Sequence, residues 1–217
     1  MSRETNIVIP VKDPRGAKSR MGDWLSPRQR EELALTLVQQ TLLFFRDLSD
    51  AHHILVVTDS DSMKDLAEES GATVLFEVES SGETAAVNKA TRWSLDHGFR
   101  RQLVVPADMA SWDRTDIERL LAMPAEQASL VLCPATGDNG TNAVLSCPPD
   151  VVPFRFGDKS FPEYQVRARE RQVLCTVLRL RSLVLDLDTP DDLDCLLQQD
   201  QHGVVRALVD AWNLPVR

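Results

Sequence analysis

The stretch Ile7-Val8-Ile9-Pro10-Val11-Lys12-Asp13-Pro14-Arg15-Gly16-Ala17-Lys18-Ser19-Arg20-Met21 decides the fold, because an apolar run passes directly into a basic loop that precedes a long amphipathic helix. Ile7 to Val11 reads as a first strand. Ser26 opens the helix: Pro27 suits the first helical position, Gln29 completes a capping-box spacing, and Leu33, Leu37, Thr41, Phe44, Phe45 and Leu48 share one face. The same alternation continues outward. Ile54 to Thr58 reads as a second strand, Asp61 to Ser70 as a helix stopped by Gly71, and Thr73 to Phe76 as a third strand. Thr84 to Asp96 forms a further helix ended by Gly98, and Leu103 to Val105 is a fourth strand that runs into Pro106-Ala107-Asp108. Strands alternating with helices in this way predict a mainly parallel sheet covered on both faces.

After a short helix near Thr115 to Ala122 the pattern changes. Leu130 to Cys133, Ala143 to Ser146 and Val173 to Leu187 are strand-like, with one helical insert around Glu163 to Arg171, so the second half implies a mixed sheet. Pro190 to Gln198 and Val204 to Trp212 close the chain as helices that pack on the domain or on a second subunit, which leaves a homodimer open. The expectation is an α/β fold in a single domain over residues 1–217, with a mixed, mainly parallel sheet.

Composition narrows the function. A formal net charge of -9 argues against nucleic-acid and anionic-membrane partners, both of which need a basic face. It leaves small anionic substrates open, since Lys12, Arg15, Lys18 and Arg20 form a local basic island. Cys133, Cys147, Cys175 and Cys195 contain no C-x-x-C pair and read as buried free thiols. Met1 to Asn6 are polar, and no run reaches the length of a membrane span, which points to a cytoplasmic location.

Ligands of open α/β sheets gather at the carboxyl ends of the strands. Asp108 lies at such an end, and Asp186 and Asp188 lie near the end of the apolar run Leu183-Val184-Leu185-Asp186-Leu187-Asp188, one residue apart and so on one side of a strand. Three carboxylates converging there would repel unless a cation sat between them. Hard oxygen ligands without a nearby His or Cys point to Mg²⁺ or Mn²⁺. Asp191 and Asp192, by contrast, suit the first turn of a helix. The loop from Pro10 to Met21 occupies the place where a nucleotide lies in such a sheet, and its Lys and Arg side chains suit a triphosphate.

Two glycine-punctuated loops, Gly137-Asp138-Asn139-Gly140-Thr141-Asn142 and Phe156-Gly157-Asp158-Lys159-Ser160-Phe161, flank a short apolar run and have the composition of small-anion sites. No Walker A loop, G-x-G-x-x-G, G-x-S-x-G or H-E-x-x-H occurs, and the histidines at 52, 53, 97 and 202 match no ligand spacing, so they read as surface or strand-end packing.

Together Pro10-Val11-Lys12, Ala17-Lys18-Ser19-Arg20-Met21, Pro106-Ala107-Asp108, Gly140-Thr141-Asn142-Ala143, Arg155-Phe156-Gly157 with Ser160-Phe161, and Leu185-Asp186-Leu187-Asp188-Thr189-Pro190 with Asp192-Leu193 resemble the CofC-type guanylyltransferases of coenzyme F-420 assembly. The resemblance covers Ile7 to Leu193. It implies a single Rossmann-like nucleotidyltransferase domain of GT-A type that joins GMP from GTP to a small phosphorylated three-carbon acid and releases pyrophosphate. Members of that family differ in acceptor, which is 2-phospho-L-lactate, phosphoenolpyruvate or 3-phospho-D-glycerate. By motif, Asp108, Asp186 and Asp188 would hold the metal, and Thr141, Gly157 and Ser160, with Asn142 and Lys159, would hold the acceptor. Lys12, Lys18 and Arg20 would face the nucleotide, with Asp108, Lys18 and Lys12 acting in catalysis. Met109-Ala110-Ser111 replaces the Leu-Pro that tends to follow the acid in the family, Lys159 stands where many relatives have a small or acidic residue, and Tyr164 stands near a frequent histidine. Two other readings remain beside it: a molybdopterin or sugar-phosphate nucleotidyltransferase, and a nucleotide-sensing domain without chemistry.

Overall fold

In the computed structural model the described residues are 4–78, 82–124, 127–135, 139–184, 186–198, 203–212 and 214. Met1, Gly137, Asp138, Leu185 and His202, which figure in the sequence reading, lie outside them.

The first strand, β1 (Thr5–Val11), is buried along nearly its whole length, and its side chains need cover on both sides. Ile7, Ile9 and Val11 pack in a layer with α1 (Pro27–Arg46), α2 (Asp61–Glu69) and α4 (Arg114–Leu121). Val8 points the other way, into a layer with α3 (Glu83–Asp96) and α5 (Ser160–Glu170). The remaining strands are β2 (His53–Thr58), β3 (Thr73–Phe76), β4 (Arg101–Val104), β5 (Ser129–Pro134), β6 (Thr141–Cys147) and β7 (Leu174–Val177). Their order is β3-β2-β1-β4-β6-β5-β7, with β6 antiparallel to β4 and β5 and every other pairing parallel. This is the mixed, mainly parallel sheet expected.

Local signals hold where the sequence placed them. Ser26 and Gln29 close a reciprocal capping box at the start of α1. Thr41 on the buried face of α1 donates to the Ala107 carbonyl at 3.2 Å and accepts from Trp112 Nε1 at 2.9 Å, which fixes the segment that carries Asp108. Cys133 and Cys147 are buried, but Cys195 is exposed on α6 (Pro190–Gln198) and Cys175 is only partly covered, since β7 forms a sheet edge.

The expected strand from Val173 to Leu187 is not one strand. β7 stops at Val177, and the chain turns through a short 3-10 helix at Arg181–Leu183. Asp116 captures the turn: its Oδ2 accepts from the Ser182 amide at 3.0 Å and from the Ser182 hydroxyl at 2.9 Å. The chain then meets the sheet again through a single antiparallel bridge, Met109 with Asp186, and the Leu187 amide donates to the Asp108 carbonyl at 3.4 Å. A straight continuation of β7 would have left Asp186 and Asp188 at the far edge, with β6 and β5 between them and β4. The departure from the sheet is what returns them to Asp108.

The closing helices α6 and α7 (Val204–Ala211) pack on the chain itself. Leu193, Leu196, Val205 and Val209 join Met21, Leu25, Leu33, Leu37 and Leu187 in a third apolar cluster, beneath the loop that carries Lys18. Asp116→Ala should therefore lower stability by roughly 2 kcal/mol in urea unfolding, the loss of two hydrogen bonds to a charged acceptor. It should also speed amide exchange at Leu187, and unchanged exchange there would show that Ser182 does not anchor the segment.

Candidate active site

After β1 the chain runs through 3-10 turns at Pro14–Gly16 and Ser19–Met21, and Lys18 between them takes a left-handed conformation with φ 54°. This backbone is uncommon for a residue with a side chain and marks a position held by its surroundings. Lys18 is held by charge. Its ammonium lies 2.7 Å from Asp108 Oδ2 and 3.0 Å from Asp188 Oδ1, with the side chain only 4% exposed, while Arg20 Nη1 is 3.7 Å from Asp188 Oδ2. Burial alone would pull the Lys18 ammonium down, yet Asp108 and Asp188 together raise it, so the lysine is charged at neutral pH. Lys18 thus places a cation of the chain itself between Asp108 and Asp188.

Asp186 is half-buried beside this triad. Burial, with the charges of Asp188 and Asp108 adding and Lys18 opposing, lifts its carboxyl to about 6. Among the described residues no three His, Cys, Asp or Glu side chains are grouped as a metal site.

A cavity of about 700 Å³ opens over the carboxyl ends of β1, β2 and β4, and its volume lies in the range of small-ligand sites. Lys12, Asp13, Arg15, Lys18, Asp59, Glu77, Glu83, Asp108 and Asp188 supply its polar lining. Arg15 pairs with Asp13 through Nη2 at 2.6 Å and holds that carboxyl down at about 2. Of the residues assigned to the nucleotide and the metal, Lys12, Lys18, Asp108 and Asp188 line this cavity, and Arg20 meets it through Asp188.

Glu83, at the start of α3, was missed. Burial first, then the charge of Asp108, pushes its carboxyl up to about 7, with Lys12 pulling the other way. Asp59 and Glu77 were also missed, although both follow apolar strands as Asp108 does.

The two glycine-punctuated loops meet. Ser160 Oγ donates to Thr141 Oγ1 at 3.1 Å, and the Phe161 amide donates to the Asn139 carbonyl at 3.0 Å. Gly157 sits in this knot with φ 99°, a conformation that suits glycine. The Phe156 amide donates to Thr84 Oγ1 at 3.1 Å, so the knot abuts Glu83 at the cavity wall. Thr141, Asn142, Gly157, Lys159 and Ser160 do not themselves line the cavity. Asn142 is buried, with its amide nitrogen given to the Leu183 carbonyl at 3.0 Å, and so it braces the segment leading to Asp186. Lys159 is exposed, in a left-handed conformation at the N-cap of α5. Tyr164 is buried against Phe154 and Phe156, where its hydroxyl accepts from the Arg155 amide at 2.9 Å.

The described histidines stay out of this chemistry. His53 bonds Asn6 and Thr73 at the strand starts, His97 stacks on Trp93, and burial lowers His52.

The sheet and the cavity at its strand ends define the class, an α/β protein with a ligand-sized cavity over its strand ends. A solved structure described as a nucleotide-diphospho-sugar transferase from Desulfovibrio desulfuricans superposes with TM-score 0.77 at 16% identity, covering 96% of this chain and 94% of that one. A 4-diphosphocytidyl-2C-methyl-D-erythritol synthase superposes with TM-score 0.61 at 14% identity, over 97% and 100% of the chains. Both likenesses carry the fold alone. The chain belongs to the family of CofC-like guanylyl transferases, which it matches over residues 5–206.

Among its relatives, a 3-phospho-D-glycerate guanylyltransferase from Colwellia psychrerythraea is 47% identical over 192 residues, 88% of this chain and 90% of that protein. A phosphoenolpyruvate guanylyltransferase from Rubrobacter xylanophilus is 34% identical, over 86% and 90% of the two chains. A 2-phospho-L-lactate guanylyltransferase from Methanothermobacter thermautotrophicus is 30% identical, over 88% and 82%.

Because the Glu83 carboxyl is raised in the folded chain to about 7 from the ordinary 4.5, the native state loses stability relative to the unfolded state as pH rises between those values. Glu83→Gln should consequently raise Tm at pH 8 and change it little at pH 4. Equal shifts at both pH values would show that Glu83 does not carry this burden.

Proposed function

We propose that this chain transfers GMP from GTP to the phosphate of 3-phospho-D-glycerate, releases pyrophosphate, and serves coenzyme F-420 assembly. The observation that carries the reading is the buried Lys18 ammonium, fixed by Asp108 and Asp188 at the edge of a nucleotide-sized cavity. The choice of 3-phospho-D-glycerate is supported by the 47% identical relative of that name.

Two half-exposed carboxylates beside substrate phosphates suit Mg²⁺, which takes one or two protein carboxylates and completes its shell with water and phosphate oxygens. Asp108 and Asp188 would hold it, and Asp186, whose carboxyl is raised partly by those two charges, would be relieved by a cation nearby. Bound there, the ion would neutralise charge on the triphosphate. Lys18 presents positive charge to the same phosphates, and Lys12 and Arg15 line the cavity beyond it.

The acceptor phosphate has a second pKa near ~6 and is largely dianionic at neutral pH, so no general base is required. Its oxygen forms a bond to the α-phosphorus of GTP as the bond to the bridging oxygen breaks, and that electron pair leaves on pyrophosphate. The chain supplies alignment and positive charge. Thr141, Gly157 and Ser160, in the knot that abuts Glu83 through Thr84, take the acceptor's polar groups in this reading. Lys159 stands exposed on that knot. Among the described residues no helix is long and apolar enough to cross a membrane.

Pyrophosphate release with Mg²⁺ and GTP or ATP, against 3-phospho-D-glycerate, phosphoenolpyruvate and both 2-phospholactate enantiomers, checks the proposal. GTP with 3-phospho-D-glycerate should give the highest kcat/KM. No release with any acceptor would reject the activity, and a preference for another acid would reject only the acceptor. Asp108→Asn and Asp188→Asn should each cut kcat at least ~100-fold while the folded circular dichroism spectrum is kept.

A further inference from the structure

At the end of β2 the backbone is pinned on both sides of Asp59. Thr58 Oγ1 accepts from the Ser60 amide at 3.2 Å, and the Thr58 carbonyl accepts from the Glu77 amide at 2.8 Å. Asp59 lines the large cavity, and its Oδ1 is buried without a hydrogen-bond partner among the described residues. A buried carboxylate oxygen left unpaired is costly, and where a native chain retains one at a cavity wall, a donor from a ligand is the natural complement. Asp59 lies outside α2, whose N-cap position is Ser60 with no side-chain cap bond, so the helix does not use this oxygen.

The place of Asp59 in the sheet says which part of a nucleotide it meets. Asp108 follows β4 and Asp59 follows β2, with β1 between them, so the two are about two strand spacings apart, roughly 10 Å. With the phosphates at Lys18 and Asp108, a ribose and a purine spanning the mouth of β1 bring the base to the end of β2. An ionised carboxylate only accepts hydrogen bonds. The Watson–Crick edge of guanine offers two adjacent donors, N1–H and the 2-amino group, whereas adenine turns the N1 lone pair to the same place. We infer that Asp59 accepts from the N1–H and 2-amino group of the guanine base and so selects GTP over ATP, an assignment that rests on the GTP reading above.

Calorimetric titration of the wild-type chain and Asp59→Asn with GTP, ITP, XTP and ATP in the presence of Mg²⁺, without acceptor, tests the assignment. Inosine lacks the 2-amino group, so wild type should bind ITP ~10- to 100-fold more weakly than GTP, the loss of one hydrogen bond to a charged group. Xanthine carries a carbonyl in place of that amino group. The asparagine side chain donates to it and still accepts from N1–H, so Asp59→Asn should reverse the preference from GTP to XTP. Equal binding of GTP and ITP to wild type would overturn the assignment without needing any variant. Loss of GTP binding in Asp59→Asn with no gain for XTP would overturn it too, as expected of a carboxylate that holds the ribose or only the backbone. If wild type binds GTP and releases pyrophosphate, either result removes Asp59 alone; if wild type binds no guanine nucleotide, the GTP reading falls with it.

Discussion

One buried cation organises this molecule. Lys18 brings a charged ammonium to a place where only 4% of its side chain meets solvent, and it is stable there because Asp108 and Asp188 each supply a carboxylate oxygen within 3.0 Å. Neither acid is fully buried, at 40% and 39% side-chain exposure, so each keeps an open side toward the cavity. A positive group is thus held still at the rim, while the carboxylates that hold it stay available to a second cation. Electrostatic preorganisation of this kind is what a displacement at phosphorus requires of a protein that offers no nucleophile of its own.

The rest of the fold brings three distant segments to that point. β1 delivers the loop of Lys18, β4 delivers Asp108, and Asp188 arrives only because the chain leaves β7 and returns across the sheet. Asp116 and Ser182 secure the turn, Asn142 ties its Leu183 carbonyl to β6, and Leu187 is buried in the cluster with Met21 and Leu33. The C-terminal helices therefore serve the site indirectly, as the floor beneath the Lys18 loop. The knot of Thr141 and Ser160 approaches from the other side, through the Phe156 bond to Thr84.

What the chain announces in its own sequence is local. The capping box at Ser26, the alternation of strands and helices, and an acid straight after an apolar strand at Asp108 can each be read without a partner, and each is found in place. The pairing of Lys18 with residues 90 and 170 positions away is not local, and the loop at Pro10 to Met21 reads there only as basic. Leu183 to Asp188 looks like a strand because its residues are apolar, but Leu183 packs in the first core layer and Leu187 in the third cluster, with a single bridge to the sheet. Asp59 and Glu77 follow apolar strands and were readable by the rule that found Asp108, whereas Glu83 opens α3, well past the end of β3, and only the folded chain brings it to the cavity. The match to CofC-like guanylyl transferases over residues 5–206 then sets aside a domain without chemistry.

In the proposed reaction Lys18 is the fixed positive group at the phosphate end of the cavity. The most direct test of this role is the turnover of Lys18→Met with GTP and 3-phospho-D-glycerate, measured beside the affinity of the same variant for guanosine. If the account is right, kcat falls at least ~100-fold while guanosine affinity stays within a few-fold of wild type, because the base lies at the other end of the cavity. A kcat within threefold of wild type would contradict it.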